Sequence, residues 1–290
     1  QRRIETLPII DVNIIICFVA FCADKGMSHS TIKQYLTGIK HHYVIRDMAN
    51  YFPDIGSSDK LKLVLRGVKR SQKTAKRSRL PITYSVLQTM VKFLLNKHSE
   101  VYTNLLLSVA CTMGFFGFLR CGEFTSRTAK FNRSYDLCIG DIQIAPDFSK
   151  YTVHLKISKT DSNLAGVTVP IFANGSDICP VVLMKRFYNL RLKSGATKKD
   201  PLFLLSNGEI LSRNIFIGEL RNILRVLKYD HIHFHGHSLR RGAATSAHAA
   251  NISVSTLQAL GRWSSEAWKC YVDVDDNMLR KAQLALCSSV

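Results

Sequence analysis

A long uncharged and largely apolar run of the sequence extends from Val101 to Leu119. Its length approaches that of a membrane-spanning helix, but four polar residues interrupt it: Thr103, Asn104, Ser108 and Thr112. Because a helix that is apolar on nearly every side must be covered, we interpret the run as a helix buried in a protein core. The sequence therefore predicts a core helix here and no membrane span.

Helical patterns surround this run, and a strand-rich segment follows it. Helical periods are found at 8–24, from Ser28 or Ser30 to about 48, and at 59–70, 83–96, 179–192, 214–227 and 239–251. Ser253 is expected to cap a further short helix whose Leu257 and Leu260 face the core. Between 138 and 172 the residues alternate or are β-branched, which predicts a three-stranded antiparallel sheet. The fold class is therefore mainly α with a small antiparallel β-sheet.

A basic stretch that is poor in apolar residues divides the chain. SQKTAKRSRLPIT, at 71–83, has the composition of an interdomain linker. The sequence thus predicts a helical domain at 1–70, a basic linker at 71–83 and a larger domain at 84–290. The same basic stretch would equally serve as a nuclear-localisation patch.

The composition favours a polyanionic partner and a reducing compartment. The formal net charge is +19, a surplus for which nucleic acid is the commonest partner, although a merely soluble basic protein would also show it. The eight cysteines form no CxxC pair, and several lie in apolar runs where a reduced cysteine packs well. We expect the cytosol or nucleus, and no disulfide framework.

The stretch from His235 to Tyr271 carries side chains suited to phosphate chemistry. His237 and Arg240 are three residues apart and share one helical face. Arg240 can donate to two phosphate oxygens, and His237 can donate to a third or pass a proton. The Trp263 indole N–H can donate a hydrogen bond but cannot shuttle a proton. The Tyr271 hydroxyl can attack phosphorus and form a covalent intermediate.

Two further positions complete a pattern that resembles the tyrosine recombinases, the Cre, Flp and phage-integrase family. GFFGFLRCGEF supplies Arg120 and Glu123 at the end of the apolar run, and LKISKTDSNLAGVTVPI supplies Lys159 in a turn between strands. The order Arg, Lys, His-x-x-Arg, Trp, Tyr extends over about 150 residues and is far more specific than an isolated His-x-x-Arg. The wording HSLRRGAAT and LGRWSSEAWKCY is similar to recombinases of DIRS-type retrotransposons and Cryptons, which are eukaryotic mobile elements.

The resemblance implies a helical core-binding domain and an α+β catalytic domain that cleave and rejoin DNA through a 3′-phosphotyrosine intermediate. It implies that Tyr271 is the nucleophile and that Lys159 is the acid for the 5′-oxygen. The donors to the phosphate would be Arg120, His237, Arg240 and Trp263. Glu123 would be a supporting carboxylate. No cofactor or metal is expected, since cationic side chains do what Mg²⁺ does elsewhere. The interval from Trp263 to Tyr271 is one residue shorter than in many bacterial members.

The resemblance also implies partners. Double-stranded DNA is expected along basic residues of the first domain and linker, although a solvated charged face is the alternative. The candidates are Lys33, Lys40, Arg46, Lys69, Arg70, Lys73, Lys76, Arg77 and Arg79. In the family the last helix docks into a neighbouring protomer, which implies a homotetramer on DNA. Here that helix would be 275–286, with a docking face, or an intramolecular one, of Met278, Leu279, Ala282 and Leu286.

Several alternatives stay open. Lys156 competes with Lys159, but on a regular strand it would point to the opposite face. His231, His233, His235 and His237 alternate and would share one face of a strand, yet no Cys or carboxylate joins them at ligand spacing, so a metal site is not favoured.

The function also has alternatives. A domesticated, non-catalytic DNA-binding protein or a type IB topoisomerase-like enzyme would share the fold and charge.

The chain begins at Gln1 without a signal-peptide pattern or an initiator methionine, which predicts a fragment of a longer protein. We expect that protein to be located in the nucleus.

Overall fold

The computed structural model describes residues 7–72, 79–157 and 165–272, together with Arg280 and Gln283. The chain divides into two compact units, Gln1–Arg77 and Ser78–Val290, each with its own hydrophobic core. The division falls inside the stretch predicted to be a linker.

The end of that stretch belongs to the larger unit. The backbone N–H groups of Leu80 and Ile82 donate to the carbonyls of His233 and Ser238 at 3.0 and 2.9 Å. Ile82 is also fully buried. The local sequence, which is typical of a linker as far as residue 83, does not indicate that Leu80 and Ile82 pack against the larger unit.

The smaller unit is a helical bundle. Its helices are α1 (Val12–Asp24), α2 (His29–Val44) and α3 (Asp59–Ser71), with a 3-10 helix at Ala49–Tyr51. Ser28 caps α2, since its hydroxyl accepts from the backbone N–H of Thr31 at 3.2 Å. The apolar helix α1 buries Ile15 and Val19 but leaves Ile14 and Phe21 exposed. It is therefore covered on one side only within this unit.

The larger unit combines seven α-helices and three strands among its described residues. The helices are α4 (Tyr84–Asn96), α5 (Val101–Phe116), α6 (Cys121–Phe124), α7 (Pro180–Lys193), α8 (Arg213–Val226), α9 (Ser238–Ala249) and α10 (Val254–Gly261). The strands are β1 (Ile142–Ile144), β2 (Lys150–Leu155) and β3 (Val167–Phe172). Short 3-10 helices lie at Ile139–Asp141, His231–His233 and Glu266–Cys270.

Helix α5 is the buried core helix that the uncharged run predicts. Every residue from 104 to 115 is buried, and α5 packs against α4, α7 and α9. Its polar side chains are satisfied locally: the Ser108 hydroxyl donates to the carbonyl of Asn104 at 2.7 Å, and the Thr112 hydroxyl to that of Ser108 at 2.9 Å. No helix in the described ranges is long and apolar enough to cross a membrane.

The strands form an antiparallel sheet in the order β1-β2-β3, as predicted. Val153 of β2 pairs with Ile142 of β1 and with Val169 of β3, and all three side chains are buried. The alternation of apolar and polar residues along β2 therefore turns one face of the sheet to the core. A short hairpin turn follows α7: Leu204 and Ile210 form an antiparallel bridge, and Gly208 has a φ of 83° in the turn between them.

Helices α9 and α10 bring the last segment of the chain against the core. Gly242 of α9 permits the closest approach, since a Cβ there would lie 1.6 Å from the carbonyl oxygen of Ile82. Helix α10 starts at the predicted cap Ser253 and buries Leu257. The prediction that Leu260 also faces the core is wrong, because it is 40 % exposed. The helix buries Leu257 and Gly261 instead, and residue 260 is turned about 100° away from residue 261.

The predicted C-terminal helix at 275–286 lies outside the described residues except for Arg280 and Gln283. Its proposed docking residues Met278, Leu279, Ala282 and Leu286 are all among those not described.

Candidate active site

Arg120, the first arginine of the predicted set, follows directly on the end of α5. The chain passes through Gly117 and Phe118, which has a left-handed φ of 48°, before Arg120 starts the one-turn helix α6. The Glu123 carboxylate accepts from the backbone N–H and from Nη1 of Arg120, both at 2.8 Å. The Glu123 side chain is only 6 % exposed. This is the geometry that a supporting residue requires, because Glu123 fixes the orientation of Arg120.

Arg240 lies on α9 with 0 % of its surface exposed. Its guanidinium donates to the backbone carbonyls of Phe118 and Gly261, and so joins the ends of α5 and α10. Carbonyls at a helix C-terminus carry partial negative charge and favour a cation. Burial, and then the charges of Arg120 and Arg262, lower the pKa of Arg240 to about 10. The side chain therefore remains a cation at neutral pH.

A third arginine, Arg262, completes this cluster. It ends α10 in a left-handed conformation, with a φ of 53°. Its Nη2 lies 3.0 Å from Glu123 Oε2, and its Nη1 donates to the Gly117 carbonyl at 3.0 Å. The sequence patterns assigned Arg262 no role. The signal that could have found it is spacing, because counting from Arg262 instead of Trp263 removes the one-residue shortfall before Tyr271.

Two aromatic rings cover the Arg240 guanidinium. Its Cζ lies 4.6 Å from the ring centre of Trp263 and 5.3 Å from that of Tyr271, and the two rings are 5.2 Å apart. The Trp263 side chain is buried, and its Nε1 has no hydrogen-bond partner in the described ranges. It is thus the ring of Trp263 that contacts the arginine, by a cation–π contact that fixes the guanidinium plane.

Tyr271, the predicted nucleophile, stands beside the predicted histidine. It follows the 3-10 helix Glu266–Cys270 and is half-buried, with its ring centre 6.2 Å from that of His237. Tyr271 and His237 line a cavity of about 190 Å³, whose wall also carries Arg79 and Arg241. The tyrosine therefore faces a small basic cavity.

His237 precedes α9 and is half-buried. Burial, followed by the charges of Arg213 and Arg120, lowers the pKa of His237 below its ordinary value of 6.5. The imidazole is therefore neutral at pH 7, so that one ring nitrogen can donate and the other can accept. Nδ1 is buried and finds no partner among the described residues.

His237 also lines a second, larger cleft of about 530 Å³. Arg120, Arg127 and Arg213 stand on its walls, and the carboxylate among its lining residues is Glu123. Glu123 is already shared between Arg120 and Arg262. A concave site with such an excess of fixed cations attracts an anion.

Lys159 lies outside the described residues, within 158–164. Ile157, two residues earlier in the sequence, lines the larger cleft. The competitor Lys156 is fully engaged elsewhere: its Nζ lies 2.8 Å from Asp141 Oδ2 and donates to the Asp136 carbonyl at 2.8 Å. Lys156 thus ties the end of β2 to the segment that precedes β1.

The predicted DNA-contact residues fall into three groups. Those of the smaller unit are all exposed: Lys33, Lys40, Arg46, Lys69 and Arg70. Three lie outside the described residues: Lys73, Lys76 and Arg77. Arg79 is exposed in the larger unit and lines the cavity next to Tyr271. Their contact with DNA stays a prediction.

The alternating histidines do not lie on a strand. His231–His233 is a 3-10 helix, which removes the shared face on which the metal alternative depended. His233 lies 3.4 Å from Asp230, and His235 Nδ1 lies 2.8 Å from Arg221 Nη2. Within the part of the chain that the structure describes, no group of three or more His, Cys, Asp or Glu residues could hold a metal ion.

No protein-family model matches the sequence, and no curated protein is significantly similar to it. Solved structures are similar in fold. The XerH site-specific recombinase bound to palindromic difH substrate has a TM-score of 0.58 at 16 % identity, over 94 % of this chain and 69 % of that chain. The Tn1549 transposon integrase in complex with circular intermediate DNA has a TM-score of 0.55 at 15 % identity, over 98 % and 88 %.

The XerA recombinase is a third similar structure, with a TM-score of 0.51 at 16 % identity, over 95 % of this chain and 98 % of that chain. These similarities show that the chain has the fold of the tyrosine recombinases. They confirm the predicted fold class, a mainly α protein with a small antiparallel sheet.

Proposed function

We propose that this protein is a site-specific DNA recombinase or integrase of a mobile element, related to the DIRS-type and Crypton recombinases. The observation that carries the proposal is the convergence of three guanidinium groups, a neutral imidazole and a tyrosine from segments about 150 residues apart in the chain. Structures of similar fold are described as integrase and recombinase complexes with DNA, which supports a DNA substrate here.

In this mechanism the Tyr271 oxygen attacks the phosphorus of the scissile phosphodiester. A bond forms between the tyrosine oxygen and phosphorus while the bond from phosphorus to the 5′-oxygen breaks. The product is a 3′-phosphotyrosine and a free 5′-hydroxyl, and attack by a 5′-hydroxyl of another strand reverses the step. The phosphodiester bond energy is kept in the covalent link, so that rejoining needs no further energy source.

The other side chains act on charge and protons. Arg120 binds the non-bridging oxygens, whose negative charge grows in the transition state, and loss of one such donor typically costs on the order of a hundred- to a thousand-fold in rate. Arg240 is fully buried beneath the Trp263 and Tyr271 rings, so we assign it stabilisation of the same charge through its fixed positive field and not the predicted direct contact. We assign to neutral His237 the hydroxyl proton of Tyr271, since its pKa is lowered and its ring lies beside the tyrosine. Lys159 protonates the departing 5′-oxygen, and the position of Ile157 on the cleft wall supports this assignment.

Assembly and location belong to the same proposal. The protein forms a homotetramer on double-stranded DNA through its C-terminal helix, and it acts in the nucleus. An exposed apolar groove of about 500 Å³ supports an intermolecular contact, with Phe116, Val169 and the exposed Leu260 on its walls. The expectation of no cofactor follows from the cationic site, as in the sequence argument.

The first experiment traps the covalent intermediate. The protein is incubated with a library of nicked duplexes that prevent rejoining, and denaturing gels reveal a protein–DNA band. We expect a band that Tyr271→Phe abolishes and that Tyr188→Phe, at a half-buried tyrosine on α7, retains. Sequencing of the trapped DNA then identifies the site.

Other outcomes separate the alternatives. A band that survives in Tyr271→Phe would mean that another tyrosine is the nucleophile. Tight, salt-sensitive binding without any band would favour a domesticated DNA-binding protein. Relaxation of any supercoiled plasmid by a monomer would favour a topoisomerase.

A further inference from the structure

Two arginines of the larger cleft differ from the three in the cluster. Arg120, Arg240 and Arg262 donate to Glu123 or to backbone carbonyls. The side chains of Arg127 and Arg213 make no hydrogen bond or ion pair with any described residue, and both residues are exposed. No described residue neutralises their charges, which are therefore available to bind an anion.

The backbone holds these two arginines side by side. The N–H of Ser126 donates to the carbonyl of Leu211 at 3.1 Å, and the N–H of Arg213 donates back to the carbonyl of Ser126 at 2.9 Å. Ser126 and Ser212 form a parallel bridge. Arg127 and Arg213 each follow one residue of that bridge, so their Cα atoms are neighbours although they are distant in sequence.

The anchor of this pair is rigid. Ser126 is buried, and its Oγ lies 2.8 Å from the Thr128 carbonyl oxygen and 3.1 Å from Asp136 Oδ2, either of which can accept its proton. Ser212 caps α8, since its hydroxyl accepts from the Ile215 N–H at 3.3 Å. The two cations therefore project from a fixed base, as a binding site requires.

Among the residues that the structure describes, the cleft offers these two arginines no further counter-ion. Glu123, the carboxylate on its wall, already neutralises Arg120 and Arg262. The Asp136 carboxylate below the pair can accept from the Ser126 hydroxyl and accepts from the Asn132 backbone N–H at 2.8 Å. The charge of Arg213 reaches His237, whose pKa it lowers. Arg213 thus belongs to the field of the candidate active site without belonging to its arginine cluster.

We infer that Arg127 and Arg213 form a second phosphate subsite, which takes a phosphodiester that flanks the scissile one on the same DNA strand. The position of this subsite next to the cleaved phosphodiester rests on the proposed function. The subsite itself is an anion site for a nucleic-acid backbone. Because phosphate contacts fix register and affinity, the subsite sets which phosphodiester stands opposite Tyr271.

The test uses the double variant Arg127→Gln/Arg213→Gln of the full chain. Binding to a short duplex of arbitrary sequence is measured over a range of salt concentrations. One lost phosphate contact lowers the slope of log affinity against log salt by about 0.9. The matched control Arg186→Gln removes an exposed charge on α7, outside both cavities, and should leave the slope unchanged.

A scan with single uncharged methylphosphonates locates the contact. On the trapped site sequence, in a Tyr271→Phe background, we expect one flanking position to weaken binding in the parent protein and to have no effect in the double variant. The lysine variant Arg127→Lys/Arg213→Lys should keep the salt slope. An unchanged slope in the glutamine variant, an equal loss in Arg186→Gln, or methylphosphonate effects that persist at every position would each overturn the subsite.

Failure of the proposed function gives a different result. If the parent protein forms no covalent band, but its salt slope falls by about 0.9 in the double variant alone, the recombinase proposal fails and the backbone subsite stands. A covalent band with an unchanged slope keeps the recombinase proposal and removes the subsite.

Discussion

The two units of the chain carry positive charge in different ways. In the larger unit Arg240 is completely buried and its hydrogen bonds end on backbone carbonyls. In the smaller unit the described cations that are predicted to contact DNA are exposed, and Lys40, whose side chain is 46 % exposed, reaches Asp54 only at 3.5 Å. A buried, oriented cation can stabilise a transition state without rearrangement, whereas an exposed one contributes affinity that salt screens. Net charge alone therefore says little about which cations do chemistry.

The largest expected effect comes from disturbing the packing of α9, the helix that carries Arg240. In Gly242→Ala the new Cβ would lie 1.6 Å from the Ile82 oxygen and 2.1 Å from its carbonyl carbon, so helix α9 must shift. We expect the larger unit to lose about 3 kcal/mol of stability. Urea unfolding followed by tryptophan fluorescence measures this, because both tryptophans, Trp263 and Trp268, lie in this unit.

The control for that variant is Gly218→Ala on α8, where a Cβ would meet nothing within 4 Å. It should hold or raise stability, by up to about 1 kcal/mol, since alanine favours a helix over glycine. Equal destabilisation by the two variants would show that α9 is not packed as described.

The second prediction exchanges the cation types of the two units. Arg240→Lys keeps the charge but cannot bridge the carbonyls of Phe118 and Gly261, so covalent complex formation should slow on the order of a hundred-fold or more. Lys33→Arg, at an exposed position, should change the rate less than about twofold. Single-turnover cleavage of a nicked substrate measures both. An unchanged cleavage rate in Arg240→Lys would show that cleavage does not need the two hydrogen bonds of the Arg240 guanidinium.

The third prediction separates affinity from rate at Glu123. In Glu123→Gln both Arg120 and Arg262 lose their ion-pair partner while the cleft becomes more positive. We expect unchanged or tighter DNA binding but cleavage slower by roughly a hundred-fold, because Arg120 is no longer held in position. The control Glu100→Gln removes an exposed carboxylate that pairs with Lys97 at 3.8 Å and should affect neither quantity. A parallel loss of affinity and rate would instead indicate a misfolded site.

The smallest effect concerns pH. Because the pKa of His237 is lowered in the folded protein, the unfolded chain binds the proton more readily, so the free energy of unfolding falls as pH decreases below about 6.5. Well above pH 6.5 His237 is neutral in both states and the free energy of unfolding does not depend on it. Below that pH the free energy of unfolding falls by at most about 1.4 kcal/mol per pH unit because of His237. His237→Gln should flatten the dependence measured by tryptophan fluorescence, whereas His248→Gln, on the same helix, should not. A slope unchanged in His237→Gln would assign the effect to another group.

Local patterns predicted most of the fold. The uncharged run identifies α5, the alternation at 138–172 identifies the sheet, and the hydroxyl residues Ser28 and Ser253 mark true helix starts. The alternative in which the alternating histidines share one face of a strand does not hold, since His231–His233 forms a 3-10 helix. The placement of Leu260 was wrong because the buried face of this short helix is decided by its tertiary contacts with α9 and with the 3-10 helix Glu266–Cys270.

The candidate site could be predicted as a set of residues but not as an arrangement. The spacing of Arg120, His237, Arg240 and Tyr271 indicated phosphate chemistry, and the structure brings them together. No sequence signal indicates that the partners of Arg240 are backbone carbonyls, because every residue type has a carbonyl. For the same reason the pairing of Arg127 with Arg213, which depends on a backbone bridge, was invisible.

The Phe118 carbonyl accepts from Arg240 and, at 3.4 Å, from Arg262 as well. That single oxygen ties together three helices whose residues are far apart in sequence. An intermediate with α5 formed but α9 or α10 undocked would lack the contacts that hold Arg240 and Arg262 beside Arg120. Catalytic competence should therefore arise only at the last cooperative step of folding and vanish in the same transition as the tryptophan signal. A partly folded chain, such as a nascent one, would carry Tyr271 without the means to cut DNA.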